Sequence, residues 1–125
     1  MKSFNYHVPK DVKDASKLAS SSSAFLAGGM TTIPSMKLGL ATYKDVIDIK
    51  NIKKLSGIKV SGKTVTIGAT TKHVEVATSK DVKKAIPALA KLAGNIGDAQ
   101  VRNRGTIGGS ISNNDPSACY PSACM

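Results

Sequence analysis

Residues 24–29 read Ala-Phe-Leu-Ala-Gly-Gly, a compact apolar run that leads directly into a pair of glycines. Such a run predicts a short buried strand that ends in a glycine turn. Upstream of it, residues 3–8 alternate loosely and predict another strand, ended by Pro9, and Asp11 is expected to cap a short helix. Downstream, residues 46–49 are rich in β-branched side chains and predict a third strand. The order of these elements favours a small parallel βαβ sheet.

After residue 56 the pattern changes to one hairpin followed by several helices. Residues 58–67 alternate in hydrophobicity on both sides of a central turn, as in a hairpin. Thr71 is expected to cap a short helix, and a longer helix is expected to start at Ser79 or Lys80 and to be split or kinked by Pro87. Residues 95–114 are rich in glycine and are expected to be mostly loop.

The composition argues against several classes of protein. The chain has 125 residues, of which 41% are apolar and 4% aromatic, so one domain with an aliphatic core is expected. Its net charge is +10, but the lysines are scattered and the aromatics do not alternate with them. A solvated basic surface is therefore favoured over a nucleic-acid site. No secretory signal and no apolar run of membrane-spanning length is present, which predicts a cytoplasmic protein.

The end of the chain suggests a helix that is interrupted. Asp115 and Pro116 are expected to open a helix, with Asp115 as its N-cap. The sequence stops soon afterwards at Met125, so it is expected to be cut inside this element. Cys119 and Cys124 lack the spacing of a metal or redox motif, and buried thiols are expected instead.

Two glycine-rich segments carry the strongest functional signal. The first glycine segment, residues 26–32, is Leu-Ala-Gly-Gly-Met-Thr-Thr, and the second, residues 104–110, is Arg-Gly-Thr-Ile-Gly-Gly-Ser. Glycine lets the backbone approach phosphate oxygens and adopt positive φ angles that turn successive N–H groups inward. Each segment alone is most often a tight turn, and neither matches a P-loop or a dinucleotide-binding fingerprint. The residues alone indicate a candidate phosphate or nucleotide site.

The order and spacing of further blocks resemble the FAD-binding medium subunit of the xanthine dehydrogenase and carbon monoxide dehydrogenase family. The blocks are Phe4–Pro9, Leu26–Gly29, Ile33–Leu38, Val46–Ile49, Ile67–Thr71, Ile96–Asp98, Gln100–Ser110, Asn114–Pro116 and Tyr120-Pro121. The block Gln100–Ser110 is the longest and the most specific. The resemblance covers essentially the whole chain.

This resemblance implies an α+β fold of the FAD-binding PCMH type. It implies a small N-terminal βαβ subdomain over residues 1–55 and a second, mixed α/β subdomain over residues 56–125 that is truncated at its C-terminus. FAD is expected in the cleft between them. The cofactor-binding residues implied are Leu26, Ala27, Gly28, Gly29, Met30, Thr31, Gly97, Thr106, Ile107, Gly108, Gly109, Ser110 and Cys119.

The resemblance also implies a role in electron transfer. In this family, electrons leave a molybdopterin-binding large subunit, pass through [2Fe–2S] clusters on a small subunit and reach FAD, which hands them to an acceptor. Both subunits are therefore expected partners. No protein-side acid, base or nucleophile is expected, because the cofactor carries the redox step. Another PCMH-type flavoprotein oxidoreductase and a basic, non-catalytic binding module stay open as alternatives.

Several positions depart from the family pattern or leave two readings open. Cys119 stands where many relatives carry an acidic residue, and Met30, where some have a polar one, is expected to act through its backbone N–H. Relatives continue well beyond the end of this chain, so it is expected to hold little stable FAD by itself. Arg102 and Arg104 are either surface charges or residues that fix the second glycine segment or face a partner. His73 is expected to be a solvated helix residue.

Overall fold

The computed structural model describes all 125 residues, which form five strands, eight helices and one 3₁₀ turn. In chain order they are β1 (Asn5–His7), α1 (Val12–Leu18), β2 (Ser23–Leu26), α2 (Thr32–Lys37), β3 (Asp45–Asp48), the 3₁₀ turn (Lys53–Leu55), β4 (Ile58–Ser61), β5 (Thr64–Ile67), α3 (His73–Thr78), α4 (Lys80–Ala85), α5 (Pro87–Asn95), α6 (Ala99–Arg104), α7 (Ile107–Asn113) and α8 (Cys119–Cys124). None of these helices combines the length and the apolar composition that crossing a membrane requires.

The first sheet has three parallel strands in the order β1-β3-β2. Its central strand β3 is buried, and Ile47 on that strand packs with Ala15 of α1. α1 begins where predicted, because the Asp11 carboxylate accepts the N–H of Asp14 at 2.9 Å. The predicted parallel βαβ arrangement is confirmed.

A buried carboxylate fixes the end of β3 that lies beside the first glycine segment. Asp48 pairs in register with Leu26, the last residue of β2. The Asp48 carboxylate accepts hydrogen bonds from the Tyr6 hydroxyl and from Lys50, whose Nζ lies 2.7 Å away. Burial works to raise the pKa of this carboxyl, but the hydrogen bonds from Lys50 and Tyr6 outweigh burial and lower the pKa. The ionised carboxylate therefore holds together the strand ends from which the glycine segment departs.

The rest of the chain packs around a second apolar cluster. The antiparallel hairpin β4–β5 pairs Ile58 with Ile67, and its turn contains Gly62 at φ +56°, so the predicted hairpin is confirmed. α4 and α5 abut at Pro87, which starts α5, where proline's missing N–H is tolerated. The buried members of the cluster are Val76, Val82, Ala90, Ala93, Ile107 and Tyr120.

The expectation that Thr71 caps a helix is wrong. α3 begins two residues later, at His73, and its start is held by the Glu75 carboxylate, which accepts the N–H of Lys72 at 2.7 Å. The Thr71 hydroxyl instead accepts the N–H of Gly57 at 3.0 Å. Thr71 is therefore committed to a long-range bond that the local pattern did not reveal.

The expectation of a loop over residues 95–114 is also wrong. Two short helices, α6 and α7, occupy most of it. Asp98 caps α6 by accepting the N–H of Val101 at 2.8 Å, and Thr106 caps α7 by accepting the N–H of Gly109 at 3.2 Å. The second glycine pair thus lies in the first turn of a helix.

Near the end of the chain two further expectations fail. Asp115 does not cap a helix, because its carboxylate accepts the N–H of Ser117 at 2.8 Å and bends the chain into a turn. α8 then starts at Cys119. Cys119 and Cys124 are exposed rather than buried, since Tyr120 is the residue that α8 turns inward.

The division into residues 1–55 and 56–125 stays a prediction. Across it, the N–H and the hydroxyl of Thr70 both donate to the Leu55 carbonyl, at 2.8 and 2.9 Å. The mixed α/β architecture itself is confirmed.

Candidate functional site

The first glycine segment presents a row of free backbone donors. β2 ends where the Leu26 carbonyl accepts the N–H of Ile49 at 2.9 Å, and the chain then turns towards α2. The amides of residues 27–31 donate to no acceptor within the protein. Consecutive free N–H groups in a concave turn form a binding site for an anion.

Glycine is required in this segment by close packing and by backbone conformation. A Cβ on Gly28 would overlap the carbonyl oxygen of Arg104 and would lie 2.7 Å from Cα of Gly105. Gly29 has φ +74°, a value that other residues rarely adopt. The two glycine segments therefore touch backbone to backbone at Gly28.

The second glycine segment contributes in a different way from the first. The amides of Ile107 and Gly108 donate to the carbonyls of Thr71 and Ala69, at 3.0 and 2.9 Å, and the Ser110 amide donates within α7. None of its glycines has a positive φ. The expectation that this segment also turns successive N–H groups inward is wrong, because helix formation and packing against residues 69–71 use them.

α7 instead offers a small, polar face. Thr106, Gly109, Ser110 and Asn113 follow the spacing of one helical face and all line the same groove. Gly108 is needed because a Cβ there would lie 2.5 Å from Cβ of Ala69. A Cβ on Gly109 would lie 3.9 Å from Cβ of Ala27, so α7 also lies close to the first glycine segment.

Between the two segments lies a groove of about 500 Å³, within the range of ligand-binding pockets. The predicted residues that line it are Ala27, Gly28, Gly29, Met30, Thr31, Thr106, Gly108, Gly109 and Ser110. No lysine or arginine lines it, so an anion there would be bound by backbone N–H groups and hydroxyls rather than by a cationic side chain.

Four predicted residues lie outside the lining of this groove. Leu26 ends β2, Ile107 belongs to the apolar core, and Cys119 is exposed at the start of α8. Gly97 has φ +45°, and its carbonyl accepts a hydrogen bond from Nη1 of Arg102 at 3.2 Å. A direct role for these four in cofactor binding stays a prediction.

Arg102 fixes the loop that precedes α6. Its Nη1 also donates to the carbonyl of Ile96 at 3.0 Å, so one guanidinium spans two consecutive carbonyls. Arg102 therefore fixes a loop, but this loop precedes α6 and is not the second glycine segment that Arg102 was expected to fix. Ile96 and Val101, on either side of that contact, line the groove.

His73 is a groove residue that sequence reasoning missed. It was expected to be solvated, but the residue is only 4% exposed. Its Nδ1 lies 3.3 Å from the Tyr120 hydroxyl, and the two rings are 5.3 Å apart. Burial lowers the pKa of His73 and raises that of Tyr120 to about 12. The sequence does contain a signal for the burial of His73, because His73 lies three residues before the buried Val76 and so on the same face of the helix.

These features fit a diphosphate: free amides, glycines that permit close approach, hydroxyls and a net positive chain.

Residues 2–125 match the family model described as the FAD binding domain in molybdopterin dehydrogenase. The carbon monoxide dehydrogenase medium chain of Hydrogenophaga pseudoflava is 44% identical over 121 residues, which cover 94% of this chain and 42% of that relative. Subunit alpha of the 6-hydroxypseudooxynicotine dehydrogenase complex of Paenarthrobacter nicotinovorans is 34% identical, covering 95% and 41%.

Solved structures agree with the sequence matches. A carbon monoxide dehydrogenase from H. pseudoflava superposes with a TM-score of 0.94 at 44% identity, over 96% of this chain and 43% of that one. Quinoline 2-oxidoreductase from Pseudomonas putida 86 gives 0.89 at 29% identity, over 94% and 42%. The chain thus spans less than half the length of these relatives. It belongs to the family of FAD-binding domains of molybdopterin dehydrogenases.

Proposed function

We propose that this chain forms the diphosphate-binding part of the FAD site in an electron-transfer subunit of a molybdenum-containing dehydrogenase or hydroxylase. The observation that carries the proposal is the row of free amides at residues 27–31, facing the small polar face of α7 across a groove. FAD is the ligand with a diphosphate that the family membership specifies.

In this proposal the chain binds and orients the cofactor. The amides of residues 27–31 donate to phosphate oxygens, and the hydroxyls of Thr31 and Ser110, which both line the groove, add donors from opposite walls. Glycine at position 28 keeps the walls close enough for one diphosphate to contact both. FAD, when bound, supplies the redox chemistry. The residues of the chain position it and exclude water from its diphosphate.

The partners belong to the same proposal. The relatives are a medium chain and a subunit of a complex, which supports assembly with a molybdopterin-binding large subunit and a [2Fe–2S] small subunit that delivers electrons. The edge strand β1 leaves Tyr6 and, just beyond its end, Val8 about half exposed, a surface available to a partner. A cytoplasmic location is consistent with two exposed, unpaired cysteines.

A titration of the 125-residue chain tests the cofactor proposal. Because the chain is expected to bind FAD weakly, the test compares the affinities of three ligands. FAD and riboflavin are titrated with flavin fluorescence as the readout, and ADP is titrated with amide chemical shifts as the readout. FAD should bind at least about 10-fold more tightly than riboflavin, which lacks the diphosphate, since charge-assisted hydrogen bonds contribute roughly 1.5–3 kcal/mol each. ADP should shift the amide signals of residues 27–31 and compete with FAD.

Two results would contradict the proposal. One is the absence of FAD and ADP binding at millimolar concentration by a chain whose amide spectrum shows that it is folded. The other is equal affinity for FAD and riboflavin, which would place the diphosphate elsewhere. Tight binding of DNA or RNA with a steep salt dependence would favour the basic binding module instead.

A further inference from the structure

A buried imidazole lies where the two glycine segments meet. The backbone N–H of His73 donates to the Gly105 carbonyl at 3.0 Å. A Cβ on Gly105 would lie 2.5 Å from Nε2 of His73, and a Cβ on Gly28 would lie 2.7 Å from Cα of Gly105. The Nε2 edge of the ring, Gly105 and Gly28 are therefore stacked in direct contact. All three line the groove.

The neighbouring tyrosine determines which ring nitrogen carries the proton. Tyr120 is fully buried, and the one hydrogen-bond partner of its hydroxyl is Nδ1 of His73. The hydroxyl proton of a buried tyrosine needs an acceptor. If Nδ1 were protonated, both groups would present a proton and the tyrosine proton would have no acceptor. Nδ1 is therefore the acceptor, and the proton of the neutral ring is on Nε2.

This assignment leaves a donor without an acceptor. Nε2 of His73 makes no hydrogen bond within the protein, and it keeps access to solvent, since every fully buried side-chain nitrogen and oxygen has a partner. Burial also lowers the pKa of His73, so the ring is neutral at pH 7, and His73 is one of the residues that line the groove. A donor that is open to solvent and has no partner within the protein is available to a ligand that enters the groove.

We propose that His73 is a further ligand-binding residue of this groove, whose Nε2–H donates to an oxygen of the bound diphosphate, with Tyr120 acting as a positioning residue that fixes the tautomer. The assignment rests on the proposed function. It adds a side-chain donor from α3 to the backbone donors of the first glycine segment. It also explains why Gly105, a buried residue between α6 and α7, has no side chain: any Cβ would displace the imidazole.

The experiment combines imidazole ¹⁵N spectra with ADP titrations of the full 125-residue chain. The chain has two histidines, so the variant His7→Gln assigns the signals and serves as a binding control, because His7 lies outside the groove. In the free wild-type chain Nε2 of His73 should be the protonated nitrogen. ADP should move the Nε2–H signal and slow its exchange with water.

The variants separate the roles of the two residues. His73→Leu should weaken ADP binding on the order of 10-fold to 100-fold, the effect of one hydrogen bond to a charged acceptor. His73→Gln should retain most of the affinity, because its side-chain amide can place an N–H near the same point. Tyr120→Phe should populate both tautomers and weaken ADP binding by a smaller factor. Riboflavin affinity should stay unchanged in all three.

Each failure has a distinct meaning. ADP binding that is unaffected by His73→Leu, or a wild-type ring protonated on Nδ1 with ADP bound, would overturn this assignment and leave the proposed function intact. If the folded wild-type chain bound neither ADP nor FAD, the proposed function would fail and the assignment with it. Should His73→Leu not fold, the wild-type imidazole spectrum and the His73→Gln and Tyr120→Phe titrations decide the question.

Discussion

The substitution Gly28→Ala tests the contact between the two glycine segments. The added Cβ would overlap the Arg104 carbonyl oxygen and lie 2.7 Å from Cα of Gly105. Since carbon atoms normally pack at about 3.5 Å, the two backbones must separate by at least roughly 0.8 Å. Overpacking of this kind costs about 1–3 kcal/mol. Reduced entropy of the unfolded chain returns roughly 0.4–1 kcal/mol, so a net loss centred on about 1.3 kcal/mol is expected.

The same change at Gly94 provides a matched control. Gly94 lies in α5, and the nearest atom to an added Cβ there is Cβ of Ala77 at 3.8 Å. Gly94→Ala should therefore stabilise the chain by up to about 1 kcal/mol through helix propensity. The two variants are compared by urea unfolding, followed by circular dichroism, and by FAD titration.

The expected results differ in sign. Gly28→Ala should lower the urea midpoint by roughly 0.5–1 M, given the unfolding slopes of small proteins, and should weaken FAD binding at least about 10-fold. Gly94→Ala should raise the midpoint and leave FAD affinity unchanged. If Gly28→Ala were as stable as the wild type and bound FAD equally well, the close approach of the two segments would be refuted as the basis of the site.

Three further variants test the parts of the structure that hold the groove. Asp48→Asn should lower the free energy of unfolding by about 1–3 kcal/mol at pH 7. The pKa of the Asp48 carboxyl is lowered in the folded state, so the difference in stability between this variant and the wild type should shrink as the pH falls below about 4. Arg102→Ala should remove the guanidinium from the Gly97 carbonyl and speed amide hydrogen exchange in residues 95–98, whereas a loop held by other contacts would exchange at the wild-type rate. His73 should make the wild type lose stability as the pH falls below about 6.5, because burial lowers its pKa and the unfolded chain binds the proton more readily. His73→Gln should remove most of that loss between pH 7 and 5, and an unchanged pH profile would show that another group is responsible.

Local patterns in the sequence were sufficient for elements whose stabilising contacts are close in the chain. The Asp11 cap, the hairpin of β4 and β5 and the break at Pro87 each depend on neighbouring residues, and each was predicted. The groove position of the first glycine segment followed from an apolar strand running into a glycine pair, which is again a local signal.

Three of the errors share a physical cause, which is contact between residues far apart in the sequence. Thr71 was expected to cap a helix, but a bond to Gly57 occupies its hydroxyl. Glycine-rich residues 95–114 were expected to be loop because glycine usually marks a turn. In α7 it serves packing instead, since a side chain on Gly108 would collide with Ala69, which is 39 positions earlier. His73 was expected to be solvated; its spacing from Val76 was a local signal for burial, but Tyr120, which covers it, lies 47 positions further along the chain.

A site built from backbone amides depends on packing more than on the identity of the side chains that line it. The donors at residues 27–31 are present in any sequence without proline there, but their direction is set by the anchoring of β2 against β3 and by the contact of Gly28 with Gly105. Those contacts join the apolar cluster around Ile47 to the one around Val76. A diphosphate that touched both glycine segments would bridge the two clusters, and at 100 times its dissociation constant it would stabilise them together by about 2.7 kcal/mol. Ligand binding and the docking of the two clusters are therefore linked, and a change that weakens either one weakens the other.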